Sequence, residues 1–320
     1  MTDVIKSLSL CGIIPVIKLD DPADAIPLCT ALKDGGLPVA EITFRTAAAE
    51  ESIKRVSEAL PDVIVGAGTV MTIDQAERAV KAGAKFIVSA GFNPDVVKWC
   101  VDAGVPITPG VNSPAGVEQA YGYGLRLLKF FPAEASGGLK FIKAISAPYN
   151  MMRFIPTGGI NEDNLKEYLA FDKIAACGGS WMVPQDAIKA KDFNRIKELT
   201  ASAVYSMLGF TVVHIGINTE NDEEARRVAN MFAAMFNFPI KEGSSSVFAS
   251  SGIEVMKSPF LGAKGHIAIR TNSIERAMHF LEGKGFAFNM ESEKKNAAGK
   301  TIAIYFKDEI AGFALHLLQA

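Results

Sequence analysis

The 320-residue sequence predicts an α/β protein: a (β/α)8 TIM barrel over residues 1–207, followed by a smaller α+β domain over 208–320. Three observations predict it. Up to about residue 185, short β-branched runs alternate eight times with longer helical stretches, the pattern of buried parallel strands with crossover helices. From residue 210 the order changes to strand, helix and several strands, and then repeats. The repeat is visible as text: TVVHIGIN followed by EEARRVANMFAAMF is echoed by KGHIAIRT followed by IERAMHFLEGKG. A repeat of about 50 residues means two copies of one supersecondary unit.

The predicted strands, in order, are IIPVI (13–17), VAEIT (39–43), VIVG (63–66), FIVS (86–89), PIT (106–108), LLKF (127–130), RFIP (153–156) and IAAC (174–177). Helices are predicted at TAAAEESIKRVSEAL, TIDQAERAVKAG, NPDVVKWCVDAG, SPAGVEQAYGYG and NEDNLKEYLA. Most open on Ser, Thr or Asn and several close on Gly, the usual capping asymmetry. An open doubly wound sheet fits less well, because no GxGxxG follows the first strand. A long helix from about Gln185 to Leu208 then leads to a boundary near 205–209. KEGSSSVFASSG (241–252) reads as a polar loop or hairpin, and ESEKKNAAGK (291–300) as a solvated turn.

Composition narrows the function. A formal net charge of −2 gives no footprint for nucleic acid or an anionic membrane. The apolar stretch at the N-terminus is too short to span a bilayer and lacks the flanks of a signal peptide. Four cysteines (Cys11, Cys29, Cys100, Cys177) show no CxxC spacing, so a reduced, cytoplasmic protein is expected.

One lysine, Lys129, sits inside the apolar run LLKFFPAE. In the sixth strand Leu127, Lys129 and Phe131 share a face; in the second, Glu41, Thr43 and Arg45 do. Barrel active sites lie at the C-terminal ends of the strands, where these residues converge with Thr69 of GAGTV. Taken singly, Lys129 reads as an end-of-strand lysine paired with a carboxylate, and Glu41 with Arg45 as an ion pair. Convergence at one rim favours chemistry. A lysine in a semi-apolar pocket loses its proton readily and attacks a ketone to form a Schiff base, while a nearby carboxylate moves protons. Two glycine turns, PTGGI (156–160) and CGGSW (177–181), follow the seventh and eighth strands, where such barrels often receive phosphate; Ser180 adds a hydroxyl.

The segments EITFRT (41–46), GAGTV (66–70), KFFPAE (129–134), PTGGI and GGSWMVP (178–184) resemble the 2-keto-3-deoxy-6-phosphogluconate (KDPG) / 4-hydroxy-2-oxoglutarate (KHG) aldolase family over about residues 5–205. The resemblance implies a class I, metal-independent and cofactor-free lyase, commonly a homotrimer. It would cleave 2-dehydro-3-deoxy-6-phosphogluconate to pyruvate and glyceraldehyde 3-phosphate, or 4-hydroxy-2-oxoglutarate to pyruvate and glyoxylate. It implies Lys129 as the Schiff-base lysine and Glu41 as general acid/base. Arg45 and Thr69, with Thr157 nearby, would hold the pyruvate carboxylate. Gly158, Gly159, Gly179 and Ser180 would receive the phosphate, with Phe131 and Ser113 lining the pocket. Ala90 stands where the family usually has proline, and Ser113 where it often has Thr or Ser.

The repeated unit at 210–320 is similar to the vicinal oxygen chelate (glyoxalase-like) superfamily, in which two βαβββ modules cup a metal. That resemblance implies His214, Glu254, His266 and His316 as ligands of a divalent metal (Zn, Ni, Co or Fe), with His316 where an acid is more usual. The other expectation for these histidines is ordinary strand packing in a regulatory or oligomerising domain. His279, on the repeat's helix, reads as filler.

Overall fold

The computed structural model describes residues 3–320. The chain forms two compact units, the first ending at Met207 and the second running Leu208–Ala320. Among the described residues, no helix is long and apolar enough to cross a membrane.

The first unit is an α/β fold of parallel strands. They are β1 (Ile13–Ile17), β2 (Val39–Thr43), β3 (Ile64–Gly68), β4 (Ile87–Val88), β5 (Ile107–Thr108), β6 (Gly110–Val111), β7 (Leu127–Phe130), β8 (Arg153–Pro156) and β9 (Cys177–Gly179). One sheet runs β5-β4-β3-β2-β1-β9 and a second β6-β7-β8. Only Pro109 separates β5 from β6, and bridges Phe154–Ile174 and Thr157–Gly178 link β8 towards β9. The parallel strands therefore curl around a common interior. Strands β1, β2, β7 and β8 lie at the predicted positions. The last predicted strand, IAAC (174–177), does not: β9 stands in its place. It pairs through Cys177–Gly179, because β1 offers Ile13, Ile14 and Pro15 as its partners there, and IAAC contributes only the bridge at Ile174. The predicted helix at 185–208 is broken into Gln185–Lys189 and Phe193–Leu208, with Lys191 at φ +55 between them.

Side-chain parity decides what faces inward. Phe130 stacks on Phe141 of the helix Gly138–Ser146, with ring centroids 5.5 Å apart, so that parity of β7 faces the helical layer. Its neighbour Lys129 therefore points to the interior. All five residues of β2 are buried, as expected for a strand covered on both faces.

The second unit follows the order β10 (Thr211–Asn218), helix Asp222–Phe236, β11 (Ile240–Glu242), β12 (Ser246–Ala249), β13 (Ile253–Met256). The order then recurs with β14 (Gly265–Thr271), helix Ile274–Glu282, β15 (Phe288–Lys295), β16 (Thr301–Phe306) and β17 (Phe313–Gln319). One sheet holds all eight strands, β11-β12-β13-β10-β14-β17-β16-β15. Ala225 and Ala229 of the first helix pack on Val247, Ala249 and Val255, so one face of β12 and β13 is committed to core. The opposite parity carries Glu254. The segment ESEKK, predicted as part of a turn, continues β15; the turn itself is Asn296–Gly299, closed by Asn296 N–H donating to Lys300 O.

Candidate functional sites

In the first unit Lys129 and Glu41, from β7 and β2, meet in the interior with Nζ 3.4 Å from Oε1. Both are buried, at 4% and 3% exposure. A tight N–H to carboxylate bond is about 2.8 Å long, so this pair is close enough for proton exchange but not locked. Gly68 of β3 makes room for the carboxylate: a Cβ there would lie 2.2 Å from Glu41 Oε1. The Phe131 ring centroid stands 5.3 Å from Lys129 Nζ, walling the amine on one side.

Arg45 and Thr69 are brought together at the rim. Arg45 Nε donates to Thr69 Oγ1 at 3.5 Å. Thr69 sits at φ +57, a left-handed conformation uncommon for a β-branched residue and costing about 1–3 kcal/mol. Val70 N–H bonding to Val88 O holds the turn in place. Thr157, the first residue after β8, has a buried hydroxyl with no hydrogen-bond partner. Gly158 and Gly159 follow at φ +98 and +85, conformations open to glycine. Ser180 is exposed at the end of β9 and shares a pocket of about 170 Å³ with Arg45 and Lys18. Gly179 lies buried beneath the Trp181 ring. Ser113 is placed differently from a pocket-facing hydroxyl: its Oγ accepts from Gly116 N–H and caps the helix Pro114–Gly122. Lys18 was not singled out in the sequence. Its Nζ pairs with Asp20 at 2.8 Å.

In the second unit the four predicted residues converge. His214 Nε2 lies 3.2 Å from His266 Nε2 and 3.1 Å from Glu254 Oε2, and His266 Nε2 lies 3.2 Å from the same oxygen. His316 completes a group of three histidines with ring nitrogens within 4.8 Å of one another. Donors about 2.1 Å from one ion are separated by about 3.0 Å in an octahedron and about 3.4 Å in a tetrahedron, so the 3.1–3.2 Å spacing of the His214, His266 and Glu254 donors is of the size a first-row cation requires. Both ring nitrogens of His316, and Nδ1 of His266, are buried without partners. Burial first, then His266 and His214, push the His316 imidazole down to about 3. Burial opposes ionisation of Glu254, but hydrogen bonds from His214, His266 and Ser246 outweigh it and hold the carboxyl well below its usual range. Ser246, unremarked in the sequence, donates to Glu254 Oε1 at 2.6 Å and fixes the carboxylate's rotation. Tyr305 stacks on His316 with centroids 4.5 Å apart.

Comparison with known proteins adds to this geometry. Residues 4–199 match the family model described as "KDPG and KHG aldolase". A curated relative, the 2-dehydro-3-deoxy-phosphogluconate aldolase of Treponema pallidum, is 46% identical over 200 residues, covering 62% of this chain and 95% of its own. The KHG/KDPG aldolase of Escherichia coli is 40% identical over 192 residues, covering 60% of this chain and 90% of its own. Among solved structures, the KDPG aldolase of Legionella pneumophila with pyruvate captured as a covalent carbinolamine superposes with a TM-score of 0.61 at 39% identity. It covers 63% of this chain and 98% of its own. The family match ends at residue 199, before the second unit begins.

Proposed function

The chain belongs to the KDPG and KHG aldolase family through residues 4–199, and from that premise we propose that Lys129 and Glu41 carry out a Schiff-base retro-aldol cleavage. The reaction takes 2-dehydro-3-deoxy-6-phosphogluconate to pyruvate and glyceraldehyde 3-phosphate, in line with the relatives' described activity. The observation that carries the reading is the buried Lys129–Glu41 pair, 3.4 Å apart inside the curl of strands.

Lys129 Nζ adds to the C2 carbonyl, forming a carbinolamine that loses water to an iminium. Glu41, directly or through a water, takes the proton of the C4 hydroxyl. The C3–C4 bond breaks, its electron pair moves towards the iminium nitrogen, and the aldehyde leaves behind an enamine. Glu41 returns the proton to C3, and water hydrolyses the new iminium to free pyruvate and Lys129. Arg45 and Thr69 hold the carboxylate of the pyruvyl half, with the unpartnered Thr157 hydroxyl as a further donor. Gly158, Gly159, Gly179 and Ser180 receive the phosphate, and Lys18 adds a cation at the same rim. Phe131 walls the reacting centre, and Ser113 acts only by capping the helix after β6.

Borohydride with pyruvate should trap a stable adduct on Lys129, and Lys129→Ala should abolish pyruvate release. An adduct-free protein, or a fully active variant, removes the reading. The same residues serve 4-hydroxy-2-oxoglutarate, yielding glyoxylate without need of the phosphate loops; comparing the two substrates ranks them. The finer fold is a closed (β/α)8 barrel, with β5 and β6 as halves of one strand. The assembly we expect is a cytoplasmic homotrimer, to be checked by light scattering.

A second reading applies to residues 208–320. The recurring strand–helix–three-strand order supports two βαβββ modules of the glyoxalase-like type. The converging His214, Glu254, His266 and His316 support a divalent metal site. The unpartnered nitrogens of His316 are what favour it over simple packing. Three imidazoles and a carboxylate would hold Zn, Ni, Co or Fe(II), supplying Lewis-acid chemistry when bound. Calorimetric titration of the metal-stripped chain with these ions should give one site, lost in His266→Ala. Unchanged heats in that variant would assign the histidines to packing.

A further inference from the structure

The loop after β8 is gripped from two sides. Thr157 O accepts from Ala133 N–H at 2.8 Å, Gly158 O from Glu134 N–H at 3.0 Å, and Gly159 O from Asn164 Nδ2 at 3.0 Å. In a planar trans peptide the N–H points opposite to the carbonyl. With the Thr157 and Gly158 carbonyls both turned towards the Ala133–Glu134 backbone, the N–H groups of Gly158 and Gly159 turn away from it together. That is the arrangement an anion requires.

One residue threatens that arrangement. The stem of Glu134 lies against Gly159, where an added Cβ would stand 2.5 Å from its Cγ and 2.6 Å from its Cβ. Glu134 is exposed, so its carboxylate can reach over the same loop. Tyr168, 2% exposed on the helix Glu162–Leu169, donates its hydroxyl to Glu134 Oε1 in a short hydrogen bond. Burial, then the Glu134 carboxylate, hold the phenol's proton on, so Tyr168 stays a donor across the working pH range. Glu134 is thus tied at the end facing the helices.

We propose that Tyr168 is a specificity-determining positioning residue: by pinning the Glu134 carboxylate away from the Thr157–Ile160 loop, it permits a doubly charged phosphate to bind there. The proposal rests on the reading of that loop as the phosphate site. An unpinned carboxylate beside the loop repels a phosphate dianion but has far less effect on the unphosphorylated end of 4-hydroxy-2-oxoglutarate.

The experiment compares Tyr168→Phe, Glu134→Gln and the double variant with wild type, measuring kcat and KM on both substrates and inhibition by inorganic phosphate. Tyr168→Phe should raise KM for the phosphorylated substrate about tenfold, the effect of losing a hydrogen bond to a charged group. Its kcat and its KM for 4-hydroxy-2-oxoglutarate should stay within about twofold of wild type. Adding Glu134→Gln should recover most of the loss, because an unpinned amide carries no charge. Glu134→Gln alone should stay near wild type, since its amide oxygen still accepts from Tyr168. A general loosening of the fold would hit both substrates and would not be rescued, so that result overturns the proposal, as does an unchanged Tyr168→Phe. Failure of the underlying reading looks different. Wild type itself would then show no preference for the phosphorylated substrate and no phosphate inhibition, and the proposal would fall with it.

Discussion

Gly68→Ala tests the barrel site without deleting any of its functional groups. A Cβ at 68 would stand 2.2 Å from Glu41 Oε1, 2.7 Å from Cγ and 2.8 Å from Cδ. Ordinary contact begins near 3.4 Å, so the carboxylate must retreat by about 1 Å. The backbone cannot relieve the clash by sliding, because β2 and β3 are paired residue for residue from Val39–Ile64 to Thr43–Gly68. A retreat of that size away from Lys129 takes the pair, already 3.4 Å apart, beyond hydrogen-bonding range. A displacement of about 1 Å at a reacting group costs on the order of 10²-fold in rate, or about 2.7 kcal/mol of barrier. Overpacking should also take about 1–3 kcal/mol from stability. The assay is pyruvate release coupled to lactate dehydrogenase, run beside borohydride trapping and thermal unfolding. Trapping on Lys129 should persist while kcat falls, separating nucleophile from proton carrier. Gly122→Ala is the control, since nothing lies within 4 Å of a Cβ there. A Gly68→Ala enzyme within about threefold of wild-type turnover would refute the assignment of Glu41 as the proton carrier.

Burial pushes the Cys11, Cys29 and Cys100 thiols up to about 12, and Cys177 is buried as well. A disulfide reagent at pH 8 should therefore leave the native chain unlabelled and titrate four thiols after denaturation; rapid native labelling would contradict this burial. In the metal-free chain, His316 is neutral when folded down to about pH 3, whereas unfolded it takes a proton below its ordinary 6.5. Its contribution is complete above pH 6.5 and is lost as pH falls towards 3, a span worth roughly 5 kcal/mol. His214, His266 and Lys294 oppose its protonation and Glu254 favours it. Amide exchange in β17 should accelerate through that window, and His316→Gln should flatten the profile; an identical profile in the variant counts against it. Asn161 caps the helix Glu162–Leu169 in a reciprocal box with Asn164, so Asn161→Ala should lower stability by about 1 kcal/mol in urea. An unshifted urea midpoint would show that tertiary packing alone holds that helix start.

Much of the barrel was legible because its strands are buried on both faces and its caps are explicit. Parity alone paired Lys129 with Glu41, since alternate residues of a strand share a face whatever the register. The eighth strand was misplaced because CGG carries no strand signal; its pairing is imposed by β1. Lys18 was missed because its partner Asp20 gives it an ordinary surface explanation. In the second unit, β10 shifts register between Val212 and His214, and such a bulge resets which side chains face the site. Ser246 and Tyr305 belong to the site only through long-range pairing: Phe248 opposes Glu254 and Tyr305 opposes His316. No local pattern encodes those neighbours.

The left-handed Thr69 has an evolutionary consequence. Glycine or asparagine would relieve its backbone, so a library selected solely for heat resistance should drift away from threonine at this position. Each such winner would surrender the hydroxyl that steadies Arg45. Position 69 therefore marks where durability and turnover select in opposite directions, and a threonine retained there through many rounds of heat selection would record the continued demand for activity.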